Sequence, residues 1–231
     1  MRPELVVAES PDDFARRAAA EISHDIEKAV ADHGICYLAI SGGRTPGPVY
    51  QKLAANAFGG GLEPNAAEIF FVDERCVPPS DARSNYRMAR ETLFSACGVY
   101  PANIHRVQAE RPDREKAAAD YEEELPENLD VVILGMGVDG HTASLFPESA
   151  ALDETSRRMV PVKGGDPDLW RLTITPPVIE AARSILVVIS GAAKAETVKR
   201  AIDGPYNPNH LPIQLALGGK WILDRAAAGA L

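Results

Sequence analysis

The run Leu129-Asp130-Val131-Val132-Ile133-Leu134 is almost unbroken in its apolar character and stops at a glycine. A strand of that kind has no solvent face, so helices must cover both of its sides, which is the setting of a parallel sheet. Similar runs lie at 35–40, 68–73, 171–175, 184–190 and 221–224. Helical patterns separate them. Ser10-Pro11-Asp12-Asp13 caps a first helix that runs to about Asp32 before Gly34, and a second follows Pro46 through Leu53. Further helices are expected from a Ser84 cap to Phe94, from Pro112 through Leu125, and from Gly191 to Asp203-Gly204-Pro205. A Gly/Pro/Asn loop at 59–65, a short strand at 104–107 and a short helix at 225–228 complete the expectation. Such alternation implies an α/β fold, a mostly parallel sheet in three αβα layers. No repeat, low-complexity tract or linker divides the 231 residues, and residues 1–231 are expected to form one domain.

In a parallel sheet the carboxyl ends of the strands share one edge, and ligands bind there. Gly135-Met136-Gly137-Val138-Asp139-Gly140-His141 leaves the 129–134 strand at that edge. A carboxylate two residues before a histidine can orient the ring and favour its taking up a proton, which is the equipment of a general base. Ser41-Gly42-Gly43-Arg44-Thr45 leaves another strand. Its freed backbone N–H groups, hydroxyls and helix N-terminus make a cradle suited to phosphate, although such a segment also serves as a plain strand–helix turn. It is neither a Walker loop nor a dinucleotide turn. Asp73-Glu74-Arg75 follows a third strand, either as part of a site or as the strand's exit into water. Lys194 lies in the first turn of a helix, where a cation opposes the macrodipole unless an anion is near, and it reads either as a site residue or as a solvated surface lysine. Arg171 opens its strand and either joins the site or pairs with one of the chain's acids.

The remaining candidates are weaker. His24 and His33 read as surface groups on the first helix, while His105 and His210 lack an acid or ligand partner at metal-like spacing. With no H-E-x-x-H and no Cys/His set, no metal is expected. Ser144 stands outside G-x-S-x-G, which argues against a hydrolase serine nucleophile. The composition, 45% hydrophobic and 25% charged, is that of an ordinary globular protein, and no apolar stretch approaches the ~20 residues of a membrane helix. A net charge of −9 argues against nucleic acid as a partner, though a small anion needs only a few local cations. Met1-Arg2-Pro3-Glu4 lacks the features of a secretory signal, and Cys36, Cys76 and Cys97 form no disulfide framework. A reducing cytoplasm is the expected setting.

Taken in order, Ser41-Gly42-Gly43, Val72-Asp73-Glu74-Arg75, the stretch from Leu134-Gly135-Met136-Gly137 through Asp139-Gly140-His141-Thr142-Ala143-Ser144-Leu145-Phe146-Pro147, Arg171-Leu172-Thr173 and Gly191-Ala192-Ala193-Lys194 resemble the 6-phosphogluconolactonase family. Ser84-Asn85-Tyr86 and Trp221-Ile222-Leu223-Asp224 extend the likeness over nearly the whole chain, and D-G-H-T-A-S-L-F-P is its most specific piece. The resemblance implies a Rossmann-like sandwich shared with glucosamine-6-phosphate deaminase. It also implies hydrolysis of 6-phospho-D-glucono-1,5-lactone to 6-phospho-D-gluconate in the oxidative pentose phosphate pathway, with no cofactor. The partner is then a small phosphorylated sugar lactone, with neither nucleic acid nor membrane involved. In that reading His141 is the general base that activates water, and Asp139 orients it. Gly42, Gly43, Arg44, Arg171 and Lys194 receive the phosphate, while Asp73, Arg75 and Gly137 complete the substrate site.

Two alternatives remain at this stage. A deaminase-like enzyme shares G-x-G-x-D-G-H, but typically continues H-I-A-F-N-E, placing a glutamate where this chain has Phe146. A non-catalytic sugar-phosphate-binding module would have no need of the Asp139/His141 pair.

Overall fold

The structure is a computed structural model that describes residues 2–58, 63, 65–165 and 168–231. Nine strands fall into two sheets among these residues. The larger has six strands in the order β1-β9-β8-β5-β2-β3, and every pairing in it is parallel. Its strands are β1 (Glu4–Ala8), β2 (Cys36–Ile40), β3 (Ala67–Phe71), β5 (Val131–Leu134), β8 (Ser184–Ile189) and β9 (Lys220–Asp224). All four residues of β5 are buried, as its composition requires. The smaller sheet, in the order β4-β7-β6, is antiparallel and consists of β4 (Asp73–Arg75), β6 (Met159–Gly164) and β7 (Leu169–Ile174).

The helices are α1 (Pro11–His33), α2 (Pro46–Leu53), α3 (Asn85–Ala89), α4 (Arg114–Glu124), α5 (Pro176–Glu180) and α6 (Ala195–Asp203). α1 begins where its sequence says it must. The Ser10 hydroxyl accepts from the Asp13 N–H, Pro11 occupies the first turn, and Gly34 ends the helix in the left-handed region at φ 86°. Phe14, Ala15, Ala18, Ala19, Ile22, Ile26 and Ala29 form its buried stripe against the sheet. The Ser84 cap also forms, its hydroxyl accepting from the Arg87 N–H, although α3 passes into a π-helical turn at Arg90–Phe94.

Several elements differ from the sequence expectation. β1 was not expected; it is an edge strand with Leu5 and Val7 exposed, so its pattern is only half apolar. Also missed was β6, because Pro161 interrupts it, yet an edge strand tolerates proline and β6 is an edge of its sheet. Segment 104–107 makes only an isolated bridge from Ile104 to Ile69 in place of a strand. α4 starts at Arg114 rather than Pro112, since the Asp113 carboxylate caps it by accepting from the Lys116 N–H. Residues 225–228 form turns rather than a helix. Of the loop expected at 59–65, only residues 63 and 65 are described.

Most consequential is β7. Its segment belongs to the antiparallel sheet, and Arg171 sits within the strand rather than opening it. No helix among the described residues is long and apolar enough to cross a membrane.

Candidate active site

The strand order places the site before any side chain is considered. From β2 the chain moves outward to β3, and then returns to put β5 on the other side of β2. Loops leaving the carboxyl ends of β2 and β5 therefore diverge, which opens a crevice at a switch point. These two loops are the glycine-rich ones. A cavity of about 150 Å³ lies there, lined by Gly42, Gly43, Arg44, Asp73, Arg75, Gly137, His141, Arg171 and Lys194. All of these were singled out by sequence. Asp139, the tenth, stands behind His141 and meets its ring.

Among the described residues the imidazole is hydrogen-bonded at one nitrogen only. His141 Nδ1 lies 2.6 Å from Asp139 Oδ1, and the same oxygen accepts from the His141 backbone N–H at 3.2 Å. The ring itself lines the cavity. Burial acts to raise the Asp139 pKa, but hydrogen bonds and charge from His141 outweigh it and hold the carboxyl below its usual value. Gly137 has no side chain because none fits: a Cβ there would collide with the His141 ring and the Asp139 carboxylate. The loop is tied at several points. Gly137 N–H donates to His141 O at 2.9 Å, Ile213 N–H donates to Gly140 O at 2.9 Å, and the Thr197 hydroxyl donates to Val138 O at 2.7 Å. Gly140 adopts φ 90°, a left-handed conformation that glycine enters without cost.

On the facing loop, the Tyr50 hydroxyl donates to Ser41 O at 2.8 Å and accepts from the Ser41 N–H at 3.1 Å. Tyr121 makes the same pair of bonds to Phe71 at the end of β3. Burial pushes both phenol pKa values up, so both stay neutral donors. Gly42 approaches Asn85 so closely that a Cβ would overlap the Asn85 side chain. Neither tyrosine carries a motif that sequence reasoning could have used, and Asn85 was noted only within Ser84-Asn85-Tyr86, with no role at the site.

The antiparallel sheet supplies the third wall. Cα pairing sets Asp73 opposite Thr173 and Arg75 opposite Arg171, so these four side chains share one sheet face. The Asp73 carboxylate accepts from Asn85 Nδ2 at 2.9 Å and from the Ser144 hydroxyl at 2.5 Å. Glu74, on the opposite face, is also buried. Its carboxylate accepts from the N–H groups of Arg75, Asn85 and Tyr86 and from the Ser84 hydroxyl. Burial nonetheless raises its pKa overall, against those bonds. Glu74 therefore organises the start of α3 rather than the cavity. Phe146 packs between two site residues, its ring centroid 4.9 Å from that of His141 and 5.5 Å from the Arg171 guanidinium carbon.

In a chain of net charge −9, the cavity is cationic. Among the described residues Arg44, Arg75, Arg171 and Lys194 make no salt bridge, and Asp73 is the only carboxylate lining the cavity with them. Burial lowers the Lys194 pKa, Arg44 adds to the effect, and Asp224 opposes it. Burial likewise lowers that of Arg171, with Asp73 opposing and Arg75 adding. Cations held at such a cost favour an anionic ligand, because it relieves both burial and mutual repulsion.

The other histidines lie elsewhere. His24 is exposed, and His33 Nε2 meets the buried Asp130 at 3.0 Å. His105 does have acid partners, Glu68 and Glu124, brought to it by the fold. His210 lies 3.3 Å from Glu148. No group of three or more His, Cys, Asp or Glu side chains able to hold a metal occurs among the described residues.

Comparison with known proteins gives a consistent result. Residues 9–223 match the family model described as glucosamine-6-phosphate isomerases/6-phosphogluconolactonase. A 6-phosphogluconolactonase from Synechocystis sp. is 34% identical over 98% of this chain and 98% of its own. The solved 6-phosphogluconolactonase of Trypanosoma brucei superposes with a TM-score of 0.87 at 27% identity, covering 100% of this chain and 99% of that one. A monomeric glucosamine-6-phosphate deaminase has a TM-score of 0.86 at 19% identity, covering 99% and 100%, which is a likeness of fold. With the motifs, the switch-point cavity and the family match in agreement, this chain belongs to the glucosamine-6-phosphate isomerase/6-phosphogluconolactonase family.

Proposed function

We propose that this chain hydrolyses 6-phospho-D-glucono-1,5-lactone to 6-phospho-D-gluconate, with His141 as general base. The observation that carries the reading is one imidazole, oriented by a carboxylate, on a cavity that it shares with four cations that make no salt bridge among the described residues. A lactone carbonyl is already electrophilic. Hydrolysis therefore needs an activated water, donors for the tetrahedral oxyanion and a proton for the departing ring oxygen.

His141 Nε2 takes the proton from water, and Asp139, already on Nδ1, stabilises the imidazolium that forms. The same proton is then available to the leaving oxygen, so one group serves both half-steps. Such a base contributes roughly 10²–10⁴ in rate. Arg75 and the backbone N–H groups of the glycine-rich loops are the oxyanion donors, each worth about 3 kcal/mol in a preorganised site. The phosphate lies against Gly42, Gly43, Arg44, Arg171 and Lys194. Hydrogen bonds to charged groups contribute ~1.5–3 kcal/mol each. Every step uses the chain's own residues. The three free cysteines support a reducing, cytoplasmic setting.

Deamination of glucosamine 6-phosphate requires more than one titratable group near the reacting carbons, because ring opening and proton transfer between adjacent carbons are both involved. Beside His141, where the deaminases carry a glutamate, stands the Phe146 ring, which can shuttle no proton. The one carboxylate among the described residues that lines the cavity, Asp73, is already bound by Asn85 and Ser144. The test is lactone hydrolysis above the spontaneous background, run beside ammonia release from glucosamine 6-phosphate. His141→Ala should lower kcat by about 10²–10⁴ while leaving affinity for 6-phosphogluconate nearly intact. Ammonia release at a rate comparable to lactone hydrolysis would overturn the reading, and so would His141→Ala turnover within a few-fold of wild type.

A further inference from the structure

Ser144 belongs to the most specific motif of the chain, yet the mechanism above gives it nothing to do. It is fully buried and three residues beyond the base. Its hydroxyl donates to Asp73 Oδ2 at 2.5 Å, and its backbone N–H donates to the Thr173 hydroxyl at 3.1 Å. Thr173 in turn donates to Ile174 O at 3.1 Å. The residue before it, Ala143, lines the cavity at φ 48°, a left-handed conformation unusual for a residue with a Cβ. That turn aims the Ser144 side chain inward, toward the antiparallel sheet.

Among the described residues Asp73 is held by neutral donors alone. Asn85 Nδ2 bonds one oxygen and Ser144 Oγ the other, and among the described residues no cation lies within salt-bridge distance, although Arg75 and Arg171 line the same cavity. An ionised carboxylate offers about four acceptor positions, so two donors leave capacity for a ligand. Such a charge repels a phosphate, and beside the four cations that line the same cavity it must earn its place through another part of the ligand. The chemistry it suits is acceptance from hydroxyl groups.

We infer that Ser144 is a positioning residue: its hydroxyl ties the loop carrying Asp139 and His141 to Asp73, and holds that carboxylate aimed at sugar hydroxyls of the bound ligand. The inference rests on the function proposed above for its choice of ligand. It links two walls of the cavity that come from different sheets. The reacting carbon is set by one wall and the sugar hydroxyls by the other, and the two hydrogen bonds of Ser144, to Asp73 and to Thr173, hold those walls together.

A double-mutant cycle tests it, using Ser144→Ala, Asp73→Asn and the double variant, with each protein's urea midpoint recorded. Lactone kinetics and calorimetric Kd for 6-phosphogluconate are both read. Ser144→Ala should raise KM and Kd about tenfold with kcat within about threefold, and should add no further loss on the Asp73→Asn background. A merely structural role would cost the same on both backgrounds. Additive losses, or an unchanged Kd in Ser144→Ala, overturn the inference. Should Ser144→Ala fail to fold, Ser144→Cys keeps the volume with a much weaker donor and carries the same cycle. A wild-type protein without lactone turnover would instead defeat the proposed function, while the Kd cycle still decides the role of Ser144.

Discussion

Gly137→Ala places one methyl group at the centre of the site. The new Cβ would stand against His141 Nδ1 and Cε1 and Asp139 Oδ1, roughly 1 Å or more inside ordinary van der Waals contact. Either the backbone or the two side chains must yield. The backbone is held by Gly137 N–H to His141 O at 2.9 Å and by Gly140 N–H to Gly137 O at 3.1 Å. The side chains are 29% and 47% exposed, for His141 and Asp139 respectively, and have solvent to swing into. The side chains therefore lose, and the damage is to catalysis rather than to folding. Displacing the proposed base would forfeit its factor of about 10²–10⁴, or roughly 3–5 kcal/mol of transition-state stabilisation. Stability should fall by less than about 1 kcal/mol, since no buried group is lost. Proton release in weak buffer, corrected for spontaneous lactone hydrolysis, measures the effect. We expect kcat at least 100-fold down with KM within about threefold, because the four cations are untouched. Turnover within tenfold of wild type would refute the claim that this glycine exists to admit the Asp139–His141 pair.

Other outcomes follow from the same geometry. Gly42→Ala should push Asn85 off Asp73 and deform the cradle, raising KM at least tenfold, and an unchanged KM would show that the close approach is dispensable. Lys194→Ala and Arg171→Ala should each raise KM for the phosphorylated lactone by about ten- to 100-fold and scarcely change it for the non-phosphorylated analogue. Equal losses on both substrates would remove those residues from phosphate recognition. The Asp139 carboxyl is held below its ordinary value of 3.8, so it contributes stability above that pH and loses it as pH falls through the lower folded value. The difference in unfolding free energy between wild type and Asp139→Asn should accordingly be constant near neutrality and shrink on acidification; a difference that grows at low pH contradicts the sign.

Much of the site was legible in the chain because glycines and charges at strand ends have few other uses. Asp139 and His141 are two residues apart, so local geometry alone brings them together, whatever surrounds them. The β5 run declared a covered strand, and the Ser10 cap and Gly34 stop bounded α1 almost to the residue. Local rules decide such features, and local rules can be read from a single segment.

Partnerships across the chain could not be read in this way. Ser144 meets Asp73 across 71 residues, and Tyr50 and Tyr121 hold strand ends without any motif announcing them. Sequence placed Arg171 at the opening of a strand, whereas antiparallel pairing of β4 with β7 sets it inside that strand, beside Arg75 on one face. His105 was without an acid in sequence and has two in space. Hydrophobic period and turn chemistry determine which segments become strands and helices, because each acts over a few residues. Which strand pairs with which, and in what register, is decided by the burial of the whole core. That register alone turns four scattered cations and a carboxylate into one cavity around a histidine.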